Sequence, residues 1–152
     1  EQWLDGYTGV LGRALITQTW REDFSHFEYE MPLRLGPVQS ITSVEYYDAD
    51  NVLQTVSSSV YRLYETASRA YLRVNDNEAW PTTWYSRDDA VRITYVAGYG
   101  DNASDVPEGI RQIARLLVAH WEQNRSAVTV GSSGAEVPMS VANLANLYTR
   151  RW

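Results

Sequence analysis

Apolar side chains recur at every second position through much of the first hundred residues and at every third or fourth position after them. That change of period constrains the fold more than any other feature, because a pleated strand repeats every two residues and a helix every 3.6. The clearest alternation is His26-Phe-Glu-Tyr-Glu-Met-Pro-Leu33, with Phe27, Tyr29, Met31 and Leu33 on one face and His26, Glu28 and Glu30 on the other. The preceding stretch, 14–24, reads as its hairpin partner, with Ser25 and its neighbours at the turn. Further strands are expected over 41–47, 52–56, 60–64, 71–74 and 90–97, separated by Gly36-Pro37, by Asp48-Ala-Asp-Asn51 and by polar loops. Residues 13–100 therefore predict an antiparallel sheet or small sandwich.

The last of these strands ends in Ala97-Gly-Tyr-Gly100, whose glycines allow positive φ where the chain must turn. Asp105-Val-Pro-Glu108 then matches a capping box, with Asp105 accepting from an orphan backbone N–H and proline tolerated in the first turn. Ile110, Ile113, Ala114, Leu117 and Trp121 make an apolar stripe that Leu116 and His120 widen, while Arg111, Gln112, Arg115 and Glu122 face outward. A helix over 105–126 would be about 30 Å long, enough to span a sheet face. Residues 127–137, with Gly131-Ser-Ser-Gly134, are flexible by composition, and 138–152 carry a second amphipathic pattern at Val141, Leu144, Leu147, Tyr148 and Trp152. Trp3, Leu4 and Tyr7 have helical spacing before Gly6 and Gly9, so 1–8 read as the last turns of a helix. The class is α+β: a sheet or small sandwich flanked by helices, with a tethered helical tail.

At 152 residues the chain suits one domain that buries roughly 70% of its unfolded surface. It has no cysteine, which removes disulfides, thiolate metal sites and a Cys nucleophile together. No apolar run approaches the roughly 20 residues of a membrane span, and no membrane partner is expected. His26 and His120 lack the spacing of metal ligands, and a structural role is favoured for each. Asp88-Asp89 could act as paired carboxylates, but the Ser-Arg-Asp-Asp context favours a solvated turn. Ala97-Gly-Tyr-Gly100 lacks the Gly-Lys-Ser/Thr ending of a phosphate loop, and no serine sits in a nucleophile elbow. The expectation is a non-enzyme without catalytic residues, metal or cofactor.

All thirteen basic residues are arginine, against nineteen acidic ones, for a net charge of -6. No stretch shows the basic stripe that phosphate neutralisation needs, so tight nucleic-acid binding is not expected. Arginine also pairs bidentately with carboxylates, which suits protein interfaces, although coding bias alone accounts for a lysine-free chain. Six Trp and eleven Tyr, many in the strand region (Tyr46, Tyr47, Tyr61, Tyr64, Tyr71, Trp80, Trp84, Tyr85, Tyr95, Tyr99), supply either core packing or a stacking platform. A carbohydrate-binding β-module is the alternative function that this leaves open.

Gly6-Tyr-Thr-Gly9, Arg13-Ala-Leu-Ile-Thr-Gln-Thr-Trp20, Ile41-Thr-Ser-Val-Glu-Tyr-Tyr-Asp48, Val91-Arg-Ile-Thr-Tyr-Val-Ala-Gly-Tyr-Gly100, Val106-Pro and Leu117-Val-Ala-His-Trp-Glu-Gln-Asn-Arg125 occur in that order. As an ordered set they resemble the head-to-tail connector (adaptor, or head completion) proteins of tailed double-stranded DNA bacteriophages and gene transfer agents. Val10-Leu-Gly12 looks inserted relative to that pattern. The resemblance implies a structural virion protein of the neck, assembled in the host cytoplasm as a ring, commonly of twelve copies. The ring would join the portal to a downstream neck, stopper or tail protein and let DNA pass. It further implies that the C-terminal segment reaches the portal, with Leu144, Leu147, Tyr148, Arg150, Arg151 and Trp152 as anchors. The residues themselves leave open that this tail folds back on its own domain.

Overall fold

The computed structural model describes residues 4–6, 9–66, 69–123 and 139–149. The α+β expectation holds, as two antiparallel sheets precede one long and one short helix. Strands β1 (Gln18–Phe24), β7 (Val91–Ala97), β3 (Val38–Tyr47) and β4 (Leu53–Thr55) lie side by side in that order. The second sheet has the order β2 (Glu30–Leu33), β6 (Ala70–Val74), β5 (Tyr61–Glu65). Their alternating inner rows make the sandwich core: Val91, Ile93, Tyr95 and Ala97 of β7 and Val44 of β3 join Met31 and Leu33 of β2 and Ala70 and Leu72 of β6. Burying each of the larger of these side chains contributes about 1.5–3 kcal/mol.

The expected hairpin between 14–24 and 26–33 does not form. β1 pairs with β7, from Gln18↔Ala97 to Phe24↔Val91, whereas β2 pairs with β6. Alternation tells which side of a strand is apolar but not which strand lies beside it, and here the chain crosses between sheets after Phe24. β2 also starts only at Glu30, so Tyr29 leaves the inner row assigned to it and is 62% exposed, under the guanidinium of Arg73 at 4.5 Å. β3 starts earlier than its alternation suggests. Register shifts between Val38 and Ser40 and between Ile41 and Ser43 bring Val38, Ile41 and Val44 inward at a spacing of three. The Asp48 turn forms as expected, with Asp48 Oδ1 accepting the backbone N–H of Asp50 and of Val52, each at 3.0 Å.

A second core serves the helices α1 (Glu108–Gln123) and α2 (Met139–Asn146). Ile110, Ile113 and Leu117 are buried with Leu4, Leu11, Val106, Val141 and Ala145, and Leu15, Ile16 and Tyr99 pack at the edge. The α1 stripe thus meets the N-terminal segment and α2 rather than a sheet face; the sheets already cover each other's apolar sides. Asp105 does not cap α1. Its Oδ2 accepts the N–H of Asn102 at 2.9 Å across the 3-10 turn Ala103–Asp105. Glu108 instead opens the helix and pairs with Arg111 and Arg115, each at 2.6 Å. Of residues 1–8, Leu4 lies buried in a turn and Asp5 forms a parallel bridge with Arg13. Trp3 and Tyr7, the 127–137 tether and Arg150 to Trp152 lie outside the described residues.

Gly98 couples the two cores. Its φ is +132°, and a Cβ there would stand 2.6 Å from the carbonyl carbon and oxygen of Ile16. Backbone on both sides leaves no soft neighbour to yield, so Gly98→Ala is expected to destabilise by more than about 1 kcal/mol. Urea unfolding with an unchanged midpoint would refute this.

Candidate interaction surface of the helical end

Helix α2 rests on α1 through Val141 and Ala145, both buried, with Leu144 and Tyr148 partly buried in the same cluster. Gly109 makes this approach possible, since a Cβ at that position would run into the Tyr148 hydroxyl. The end of α2 is tied down by the N-terminal segment. Arg13 Nε donates to the Tyr148 carbonyl at 2.6 Å and Arg13 Nη1 to the Tyr99 hydroxyl at 3.2 Å. Thr149 Oγ1 donates to the carbonyls of Ala145 at 3.0 Å and of Val10 at 3.3 Å. Of the six anchors expected in the tail, Leu144 and Tyr148 therefore pack on the protein's own body, while Leu147 is 78% exposed. Arg150, Arg151 and Trp152 lie outside the described residues.

An apolar groove of about 270 Å³ runs along α1, lined chiefly by Leu4, Leu15, Ile16, Ala114, Val118 and Trp121. Val118 is 52% and Trp121 43% exposed, so Trp121 departs from the buried stripe in which its spacing placed it. Val118 follows Gly109 by about two and a half turns, which puts it half a revolution round the helix. The Val118 side of the groove is thus opposite Gly109, while Ile110 and Leu117 at its inner edge also join the core that holds α2. The groove's polar groups are largely engaged within the chain: Asp5 accepts from Leu15 N–H and Gln18 Nε2, each at 2.8 Å, and Arg111 Nη2 pairs with Glu108. What the groove offers an incomer is chiefly apolar area, with the buried and unbonded Nε of Arg111 at its wall.

The ionisable groups elsewhere are arranged as supports. Asp89 sits between Arg87, with two contacts at 2.8 Å, and Arg92 at 2.7 Å, and the Arg87 guanidinium lies 3.6 Å over the Tyr47 ring. Hydrogen bonds from these two arginines hold the Asp89 carboxyl well below the usual carboxylate range. Asp88-Asp89 is thus a turn with an arginine clamp, not a carboxylate pair. His26 shares a hydrogen bond with Ser25 at 2.9 Å on the surface. Among the described residues no group of three or more His, Cys, Asp or Glu could hold a metal ion, and no helix is long and apolar enough to cross a membrane. Of the two roles open to the aromatics, packing takes many of them: Tyr95 is fully buried, Phe27 stacks on Trp80 at 4.6 Å, and Tyr99 joins the helical core. Tyr64 and Tyr71 stack at 5.3 Å, with Arg69 4.5 Å over Tyr71.

Sequence reasoning missed Glu22. It falls on the inner side of β1, in register with Trp20 and Phe24, and a charge at an apolar register position was the available signal. Its Oε1 accepts from the Tyr95 hydroxyl at 2.6 Å and from Arg34 N–H at 2.7 Å. Burial nevertheless dominates and raises the carboxyl above its ordinary value of 4.5. The folded state therefore holds this proton more tightly than the unfolded one, and stability falls as pH rises from about 4.5 through the raised value. Glu22→Gln keeps an Oε1 acceptor for both donors and cannot ionise. Melting curves should show its advantage over the parent chain growing from pH 4 to pH 7.5; a pH-independent difference would count against the assignment.

Comparison with known protein families and with curated proteins returns no match to the sequence. Solved structures do match. A chain of the virion of a native gene transfer agent particle superposes with a TM-score of 0.73 at 21% identity, over 94% of this chain and 70% of that one. A chain of the neck of a native particle, computed with C12 symmetry, gives 0.73 at 22% identity over 94% and 75%. A chain of the neck of an empty particle, computed with C6 symmetry, gives 0.71 at 23% over 94% and 70%. The sandwich with its helical end is thus a fold also found in gene transfer agent particles.

Proposed function

We propose that this chain is a structural component of a virion neck, an adaptor whose copies form a ring between the portal of the head and the next neck or tail protein. The reading rests on the fold shared over 94% of the chain with neck components of gene transfer agent particles. The C12 symmetry of one of those necks makes twelve copies the natural number for the ring. A closed ring needs two different faces on each protomer that complement one another, set on a body stiff enough to fix the closure angle. The sandwich supplies the stiffness, and the ring works by assembly, with no bond made or broken. The contact that closes the ring is intramolecular and benefits from a high effective concentration, so a modest contact repeated round it suffices. A net charge of -6 suits a passage through which DNA slides without sticking.

Portal attachment in this reading falls to Arg150, Arg151 and Trp152, because Leu144 and Tyr148 are already held by the protein's own body. Arginine and tryptophan are the side chains richest in interface hot spots. Deletion of 150–152 leaves α2 in place, whereas truncation after Val137 would also strip Val141 and Ala145 from the second core. The expected outcome is a deleted protein that melts like the parent but no longer co-sediments with purified portal of its own particle. Failure of the parent to co-sediment, or undiminished binding after the deletion, would overturn the assignment.

A further inference from the structure

We infer that the apolar groove on α1 receives the exposed end of α2, with Leu147 foremost, from a second copy of this chain. The inference rests on the ring reading and supplies the two faces that such a ring requires. One face is the groove with its exposed Val118 and Trp121; the other is Leu147, 78% exposed at the end of α2. They are different patches: Val118 stands half a revolution round α1 from Gly109, where Tyr148, the residue after Leu147, packs. Head-to-tail contact demands two different patches, since a single self-complementary patch would pair two copies about a two-fold axis and stop there.

The chemistry of the two surfaces also matches. From Val137 to Thr149 the sequence carries no Asp, Glu, Arg or His, and the groove's Asp5 and the Arg111 Nη2 are bonded within the chain. An uncharged helix end buries no ion of its own on entering such a groove. For copies that each carry a net charge of -6, a contact between two such surfaces avoids placing like charges together. Depletion of charge at the centre with aromatic enrichment is the composition of interface cores, and Trp121 provides the aromatic residue.

The absence of cysteine makes the test clean. Val118→Cys and Leu147→Cys are both surface changes, so the doubly substituted chain should fold like the parent. In concentrated solution under mild oxidant it should give a ladder of dimer, trimer and higher species, with 118-to-147 links found by mass spectrometry, while each single variant stops at dimer. The thiol that Val118→Cys introduces should be alkylated rapidly in the dilute monomer; slow alkylation would mean that the chain's own residues fill the groove and would overturn the inference. As a non-covalent check, Val118→Glu and Leu147→Glu should each weaken self-association by on the order of tenfold or more. A parent chain that forms rings with its portal while the double variant gives no 118-to-147 link would remove this interface and leave the ring standing. The ladder in a protein that never joins a portal would do the reverse.

Discussion

One row of side chains on β7 holds the sandwich together. Val91, Ile93, Tyr95 and Ala97 are all without solvent exposure, and β7 is the strand that pairs with both β1 and β3. Four buried side chains at about 1.5–3 kcal/mol for each large one rival the roughly 5–15 kcal/mol by which a whole domain is stable. Tyr95 adds a polar tie at the centre, donating to Glu22 and accepting from Leu35 N–H at 3.2 Å. A buried hydroxyl bonded on both sides fixes the inner face of β1 and the segment after β2 relative to β7.

That strand also delivers the chain to the helical end. Past Ala97, Gly98 N–H donates to the Pro37 carbonyl at 2.8 Å, Tyr99 N–H to Leu15 at 3.2 Å, and Gly100 accepts from Thr17 N–H at 3.0 Å. The N-terminal segment is thereby gripped by the strand exit on one side and, through Arg13, by α2 on the other. The two hydrophobic clusters are separate in side chains but continuous in backbone hydrogen bonds. These hydrogen bonds tie the helical end to the sheets through the strand exit and the N-terminal segment.

Much of the local structure is legible in the sequence. The alternation in 91–97 and 71–74, the Asp48 turn, the Ile110, Ile113 and Leu117 part of the α1 stripe and the glycines at 98 and 100 all occur where their spacing or conformational freedom places them, whereas Leu116 and Trp121 are exposed. The misreadings share a cause. Spacing matches the 14–24 strand with its neighbour in sequence although its partner lies some seventy residues away, and Asp105 has the right spacing to cap α1 but closes the turn before it. Glu22 carries a local signal, a charge at an apolar register position, but the burial that raises its carboxyl is set by segments distant in sequence.

Which residues are apolar, and with what period, determined the α+β class and the approximate positions of α1 and α2, because those follow from interactions within a few residues. The sequence also settled the absence of thiol chemistry and the acidic balance. Tertiary structure alone decided strand partners, the division into two cores and the side of α1 on which each surface lies. Trp121 and Leu147 show the reason: both look like core residues by spacing, and both stand exposed outside the cluster that buries Ile110, Ile113, Leu117, Val141 and Ala145. Burial is a property of where distant segments meet, and local pattern carries no record of that.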